Sequence, residues 1–323
     1  MQQQTCRWIV VVVVVALIVP LIAACGQPAA PSPGGEFQGT ITVSGAFALY
    51  PMMVRWGEEY QKLHPGVQFD ISAGGAGKGM TDALGGQVDM GMVSREIKPE
   101  EEKQGAYWVS VVKDAVFPGV NEKNPVLPDL IRQGVTQAQF VDIFITGKIK
   151  TWGELVGRPE ITDEIHVYTR SDSCGAADAW AKYLGKTQED LLGIGVFGDP
   201  GIAEAVAKDP LGIGYNNLGY AYDAASGKPV AGLTILPLDA NSNNQADADE
   251  VLDTKAKAMV AVATNQYPSP PARALNLVTK GKPAGLLQDF ILWTLTEGQK
   301  FVDSAGYIAL PQDLLNEGLQ KVK

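Results

Sequence analysis

The sequence predicts an α/β fold large enough for two packed parts. Three observations lead there. Short β-branched runs are each followed by an apolar stretch of helical spacing, several strand-to-helix turns are rich in glycine, and 323 residues at 46% hydrophobic content can bury two cores. The formal net charge of −10 argues against a nucleic-acid partner, which calls for a basic surface. With only His64 and His166, a histidine-rich metal centre is excluded. Cys6, Cys25 and Cys174 form no CxxC pair, which leaves no zinc-ribbon or thioredoxin-type signal.

The first segment is expected to be a targeting signal over residues 1–24. Arg7 gives a positive start, Trp8 to Ala24 is apolar and valine-rich, and Leu21-Ile22-Ala23-Ala24 precedes Cys25. Small residues before a cysteine resemble the lipobox of bacterial lipoproteins, which implies cleavage, acylation of Cys25 and a chain tethered to a membrane. The alternative is an uncleaved membrane helix, for which the run is short. Residues 25–37, rich in Pro, Gly, Ala and Ser, read as a flexible tether. Cys174 is then the only thiol of the mature chain.

Thr40–Ser44 alternates and reads as the first strand. Gly45–Tyr50 turns into a helix whose Met52, Met53, Trp56 and Tyr60 share one face. Pro65-Gly66 punctuates, and Val67–Ile71 is the next strand. Ser72–Gly79 is a second glycine-rich turn into a helix; it fits neither the Walker spacing nor GxGxxG, which argues against a nucleotide site. Val88–Val93 reads as a short buried strand ending at Ser94-Arg95-Glu96.

The most informative stretch is Thr169–Trp180. It follows a strand, Ile165–Tyr168, and leads into a helix, Ala176–Leu184, with Ser173 or Cys174 at the N-cap. Such a junction presents free backbone N–H groups and the positive end of a helix dipole, and Arg170 adds charge beside it. Three strand ends thus offer main-chain donors, around Ala46–Ala48, Gly74–Gly77 and Cys174–Ala176. Two of the turns have an arginine nearby, Arg95 and Arg170. In open α/β sheets ligands sit at the carboxyl ends of strands. The expected ligand-binding set is Ala46, Phe47, Ala48, Gly75, Ala76, Ser94, Arg95, Arg170, Cys174, Gly175 and Ala176. Phe47 itself also reads as a core residue.

Several further stretches, taken in order, resemble the PstS-like substrate-binding proteins of ABC transporters, members of the periplasmic-binding-protein group. The resemblance rests on Gly45–Pro51, Val88–Arg95, Val141–Trp152, Arg170–Ala176, Leu211–Ala221, Tyr267–Pro283 and Glu297–Tyr307. It implies a type II fold: two lobes, each a mixed sheet flanked by helices, joined by two hinge strands near Val111–Val120 and Val260–Arg273. Lobe 1 would be residues 38–115 plus 270–323, and lobe 2 residues 116–265. It further implies an extracytoplasmic binding protein of an ABC importer, lipid-anchored to the outer face of the cytoplasmic membrane and partnered by a permease. The expected molecule is monomeric, needs no cofactor, and holds phosphate or a related oxyanion in the interlobe cleft.

The chain departs from the resemblance at its hydroxyls. Ala46, Phe47 and Ala48, Gly74-Gly75-Ala76, Cys174 and Ala176 stand where Ser and Thr are expected. Each lost hydrogen bond to a charged oxygen is worth roughly 1.5–3 kcal/mol. Two alternatives follow: the same transport or sensing role with a different small anionic or partly apolar ligand, or a surface lipoprotein without transport. An enzyme is not expected, because Cys174 and His166, eight residues apart, lie too far from each other for a nucleophile–base pair on an extended strand. The acidic stretch Asp239–Glu250 matches a twelve-residue calcium loop at Asp239, Asn241, Asn243, Asp247 and Glu250, with Gln245 offering its carbonyl. A structural calcium there, ahead of a helix starting near Glu250, is the one metal expectation.

Overall fold

The computed structural model describes residues 37–323. The targeting segment, Cys25 and nearly all of the tether lie outside the described residues. Among the described residues no helix is long and apolar enough to cross a membrane.

The chain opens with β1 (Gly39–Gly45), α1 (Tyr50–Leu63), β2 (Val67–Ala73), α2 (Ala76–Leu84), β3 (Met90–Val93) and α3 (Pro99–Lys103). The long β4 (Ala106–Asn121) follows. Next come α4 (Leu127–Gln133), β5 (Val135–Thr136), α5 (Gln137–Phe144), α6 (Trp152–Val156), β6 (His166–Arg170), α7 (Gly175–Tyr183), β7 (Ile194–Val196), α8 (Gly198–Lys208), β8 (Gly212–Asn217) and α9 (Leu218–Ala221). The chain finishes through β9 (Leu233–Ile235), β10 (Leu238–Asp239), α10 (Lys255–Ala263), β11 (Ala272–Lys280), α11 (Gly285–Leu295) and α12 (Gln312–Val322).

One mixed sheet runs β2-β1-β3-β11-β4-β8-β6-β7, with β9 also on β4 and a separate β10-β5 pair. β1, β2 and β3 are parallel, as are β6, β7 and β8, whereas β4 and β11 pair antiparallel to their neighbours. β4 ties the halves together. Its residues Ala106–Ala115 pair with β11, and Val116–Val120 pair with β8.

The two lobes follow from two hydrophobic cores. One gathers residues from Ile41 to Val112 and from Leu275 to Val322; the other gathers Ala115 to Ala272, with Ile308. In the first, α1 buries Met52, Met53, Trp56 and Tyr60, as its spacing predicts. Tyr60 meets Phe290 edge-on at 5.1 Å, and the Trp56 indole donates to the Gly298 carbonyl at 2.9 Å. In the second, Trp180 stacks on Tyr215 with 5.8 Å between centroids, and Phe140 meets it edge-on at 5.0 Å. That packing fixes α7 against β8, and so fixes where the start of α7 points. Truncating a buried aromatic of this kind costs roughly 3–5 kcal/mol.

Candidate functional site between the strand ends

The expected donors come together where the two lobes meet. From the first lobe come the turn after β1, the start of α2 and the end of β3; from the second, the end of β6 and the start of α7. The contact is close. Gly77 donates its N–H to the Ser173 carbonyl at 3.0 Å. A Cβ on Gly75 would lie 2.7 Å from an Asp172 carboxylate oxygen, and one on Gly175 would lie 2.1 Å from the Ser94 carbonyl oxygen. Glycine at these two positions is what lets the backbones approach.

Five main-chain N–H groups at this junction, those of Phe47, Ala48, Ala76, Gly175 and Ala176, find no acceptor among the described residues. Their neighbours are satisfied: Ala46 donates to the Met92 carbonyl, Gly74 and Gly75 to the Gly45 carbonyl, and Ala177 to the Cys174 sulfur at 3.4 Å. Ala48, Ala76 and Ala176 are buried. Ala76, Gly175 and Ala176 open helices, where the first N–H groups have no intrahelical partner, so the cluster is a candidate place for an external acceptor.

Arg170 lies in this region, fully buried, and is already neutralised. Its Nε and Nη2 donate to the two oxygens of Asp172 at 2.8 and 2.6 Å, and its Nη1 donates to Asp199 at 2.5 Å. Asp199 also accepts the Asn217 side-chain amide at 2.6 Å, and Asp172 accepts the Gly198 N–H at 3.1 Å. Burial works against the guanidinium's charge, yet the Asp199 and Asp172 carboxylates outweigh it and hold the pKa above the usual arginine range. The guanidinium sits over the Phe47 ring, with Cζ 5.4 Å from the ring centroid.

The expectation that Arg95 and Arg170 converge on one hollow is corrected by the geometry. Arg95 turns away toward α3, giving Nη1 and Nη2 to Glu101 at 2.9 and 2.6 Å and Nη1 to the Glu96 carbonyl at 2.8 Å. It lines a separate cavity of about 490 Å³ with Trp108, Asn276, Lys182 and Arg273, which neither Arg170 nor Phe47 borders. Arg273 is expected from the sequence only at a hinge, not in the site, yet its guanidinium reaches the junction. Its Nε donates to the Ser94 carbonyl at 3.2 Å, its Nη1 to Asp114 at 3.1 Å, and its Nη2 to Asn217. Burial drives the Asp114 carboxyl above its ordinary value, with the Arg273 charge opposing. Nothing in the local sequence separates Arg273 from a hinge residue; its partners lie 56 to 179 residues away.

Cys174 is the N-cap of α7. Burial pushes its thiol up to about 12, although Arg170 pulls the other way. It is therefore a neutral capping sulfur, not an activated thiolate. His166 faces Asp209 at 2.7 Å, so no nucleophile–base pair forms.

The acidic loop is held by its own hydrogen bonds. Asp239 accepts from the N–H groups of Asn243 and Asn244, Asn241 from Asn243 N–H, and Asn243 from Gln245 N–H. Glu250 accepts from the Ala240 and Asp247 N–H groups, and Asp247 from the side-chain amides of Asn241 and Asn243. Among the described residues no three His, Cys, Asp or Glu side chains converge as a metal site would require. The helix expected near Glu250 begins only at Lys255.

A profile of the PBP superfamily domain matches residues 30–297. The chain belongs to the PBP superfamily. Within it, the chain is PstS-like. It is 29% identical to the phosphate-binding protein PstS of Methanocaldococcus jannaschii, over 95% of this chain and 92% of that one. It is 27% identical to the PstS of Bacillus subtilis, over 93% of each. The solved phosphate ABC transporter substrate-binding protein of Clostridium perfringens, with bound phosphate, superposes with a TM-score of 0.68 at 24% identity, covering 84% of this chain and all of that one. An ABC-type phosphate transport receptor of Vibrio cholerae superposes at 0.60 and 19% identity, covering 84% and 100%. These PBP relatives are named as binding proteins and receptors, not as enzymes.

Proposed function

We propose that this PBP-superfamily chain is the extracytoplasmic solute-binding component of an ABC importer and takes phosphate or a related oxyanion between its lobes. The observation that carries the reading is the cluster of unpaired N–H groups on Phe47, Ala48, Ala76, Gly175 and Ala176 beside Arg170. A tetrahedral oxyanion offers lone pairs in several directions, which suits donors arriving from both lobes, and the dipole at the start of α7 favours negative charge. The PstS names of the full-length relatives support the same ligand class. Closure of the lobes about β4 and β11 would then be driven by contacts made only when both sets of donors reach one anion.

The site set carried forward is Ala46, Phe47, Ala48, Gly75, Ala76, Ser94, Arg170, Cys174, Gly175 and Ala176, joined by Arg273. Anchoring through acylated Cys25 at the outer face of the cytoplasmic membrane, a permease partner and a monomeric state complete the reading. A second reading is an anion that carries an apolar substituent. It is favoured by the aromatic wall of Phe47, Phe197 and Tyr220 around Arg170.

The test is a thermal-shift and calorimetric screen against phosphate, sulfate, molybdate, phosphonates and small carboxylates. A ligand present at a hundred times its Kd stabilises the folded state by about 2.7 kcal/mol. Stabilisation by one or more oxyanions is expected. A flat response to all of them would overturn the anion reading.

A further inference from the structure

We propose that Phe47 is an internal stopper: its ring occupies space beside Arg170 that an incoming anion must enter, so that binding requires the ring to swing out. The proposal rests on the oxyanion reading of the site and adds what controls access to it.

The guanidinium has five N–H bonds, and three are given to Asp172 and Asp199 along its edges. What remains to donate is one in-plane N–H on each terminal nitrogen. The Arg170 Cζ lies over the Phe47 ring, 5.4 Å from its centroid, near enough for a cation–π contact. The ring is clasped by the second lobe. Phe197 meets it edge-on at 5.8 Å and 81°, Tyr220 at 6.5 Å and 80°, and the Tyr220 hydroxyl reaches the Phe47 carbonyl at 3.4 Å. Beneath it sits Gly198, at a φ of +75°, where a Cβ would stand 3.1 Å from the ring's Cζ. A Cβ there would push the ring a few tenths of an ångström away from this position. Phe47 therefore belongs to the first lobe by chain and to the second by contact.

The same residue carries one of the unpaired amide donors. Turning the side chain about χ1 would remove the ring and leave that N–H in place, so one rotamer change converts a closed-off site into an open one. Phe197, 60% exposed, gives the outer side of the clasp an apolar surface that faces solvent. In the closed arrangement the ring supplies interlobe contact without ligand, and an anion must displace that contact before it gains its own. The apparent affinity falls by the fraction of molecules whose ring is out.

The experiment compares wild type, Phe47→Ala and Phe47→Leu as full chains in detergent, by calorimetry and stopped-flow with inorganic phosphate. Phe47→Ala is expected to bind about ten-fold tighter, equivalent to about 1.4 kcal/mol, with most of the gain in the association rate. Phe47→Leu keeps bulk without the π face and is expected between the two; it also carries the test if the alanine variant does not fold. Binding by the variants alone would support the stopper further. Unchanged or weaker phosphate binding by a folded variant, with wild-type binding intact, overturns the stopper and leaves the anion reading standing. Phosphate binding by none of the three overturns both.

Discussion

Replacing Arg170 with alanine is expected to damage the fold of the second lobe as well as its ligand site. Arg170 and Asp199 have side chains 1% exposed, and Asp172 is 8% exposed. Their only charge-matched partner in this cluster is the guanidinium. Taking it away leaves two carboxylates in a low-dielectric interior with Asn217 and Gly198 as weak compensation. Breaking a buried ion pair by removing one partner costs about 3–5 kcal/mol, most of it the penalty of the stranded charge. At roughly 2–4 °C per kcal/mol for a chain of this size, the melting temperature should fall by on the order of 10 °C. The assay is thermal or urea unfolding of Arg170→Ala, Asp172→Ala and the double variant. If the stranded carboxylate is the cause, Asp172→Ala in the Arg170→Ala background should restore stability that it removes from wild type. A non-additivity above about 0.5 kcal/mol marks the coupling. Additive losses, or an Arg170→Ala chain that melts like wild type, would refute the charge-balance account and return Arg170 to the role of a free anion-binding group.

Cys174 should resist thiol reagents in the folded protein at pH 8 and react in denaturant, because its thiol pKa stands near 12 instead of the ordinary 9.0. A raised thiol pKa means the folded state holds the proton more tightly. Its stabilising share is therefore whole below pH 9 and lost as the pH rises toward 12, and fast labelling of native protein at pH 8 would contradict the burial. Restoring hydroxyls with Cys174→Ser and Ala176→Thr should strengthen phosphate binding at least ten-fold per hydroxyl, at roughly 1.5–3 kcal/mol for each bond to a charged oxygen. No gain by calorimetry would mean that Phe47, not the missing hydroxyls, limits the site. Calcium at Asp239–Glu250 requires Asn241 and Asn243 to turn the amide nitrogens they now aim at Asp247 away and their oxygens inward. If that happens, millimolar calcium should raise the melting temperature over EDTA, and superimposable curves would leave a self-bonded loop.

The sequence made the backbone of the site readable, because backbone geometry leaves local marks. Alternation in Thr40–Ser44, the spacing of Met52, Trp56 and Tyr60, and glycines after two strands are all short-range signals, and the corresponding strands and helices form. Even the N-cap was narrowed to two neighbours, of which Cys174 takes the role. What the sequence could not show is how charge is balanced. Asp172 lies two residues from Arg170 and could have been paired with it on sight. Asp199 lies 29 residues away, and Arg273 meets Asp114 from 159 residues away. Arg170 reads locally as added positive charge, and the fold balances that charge by bringing Asp199 to it. The consequence is physical. By formal charge the cluster of Arg170, Asp172 and Asp199 is −1, so Arg170 adds no net positive charge of its own to the site. Any oxyanion must be held by directional main-chain donors and by the dipole of α7, at close range, where geometry decides. On that requirement a single aromatic ring in the turn after β1 could control the site: it need not cancel a charge, only occupy space that an anion must enter to reach the amides.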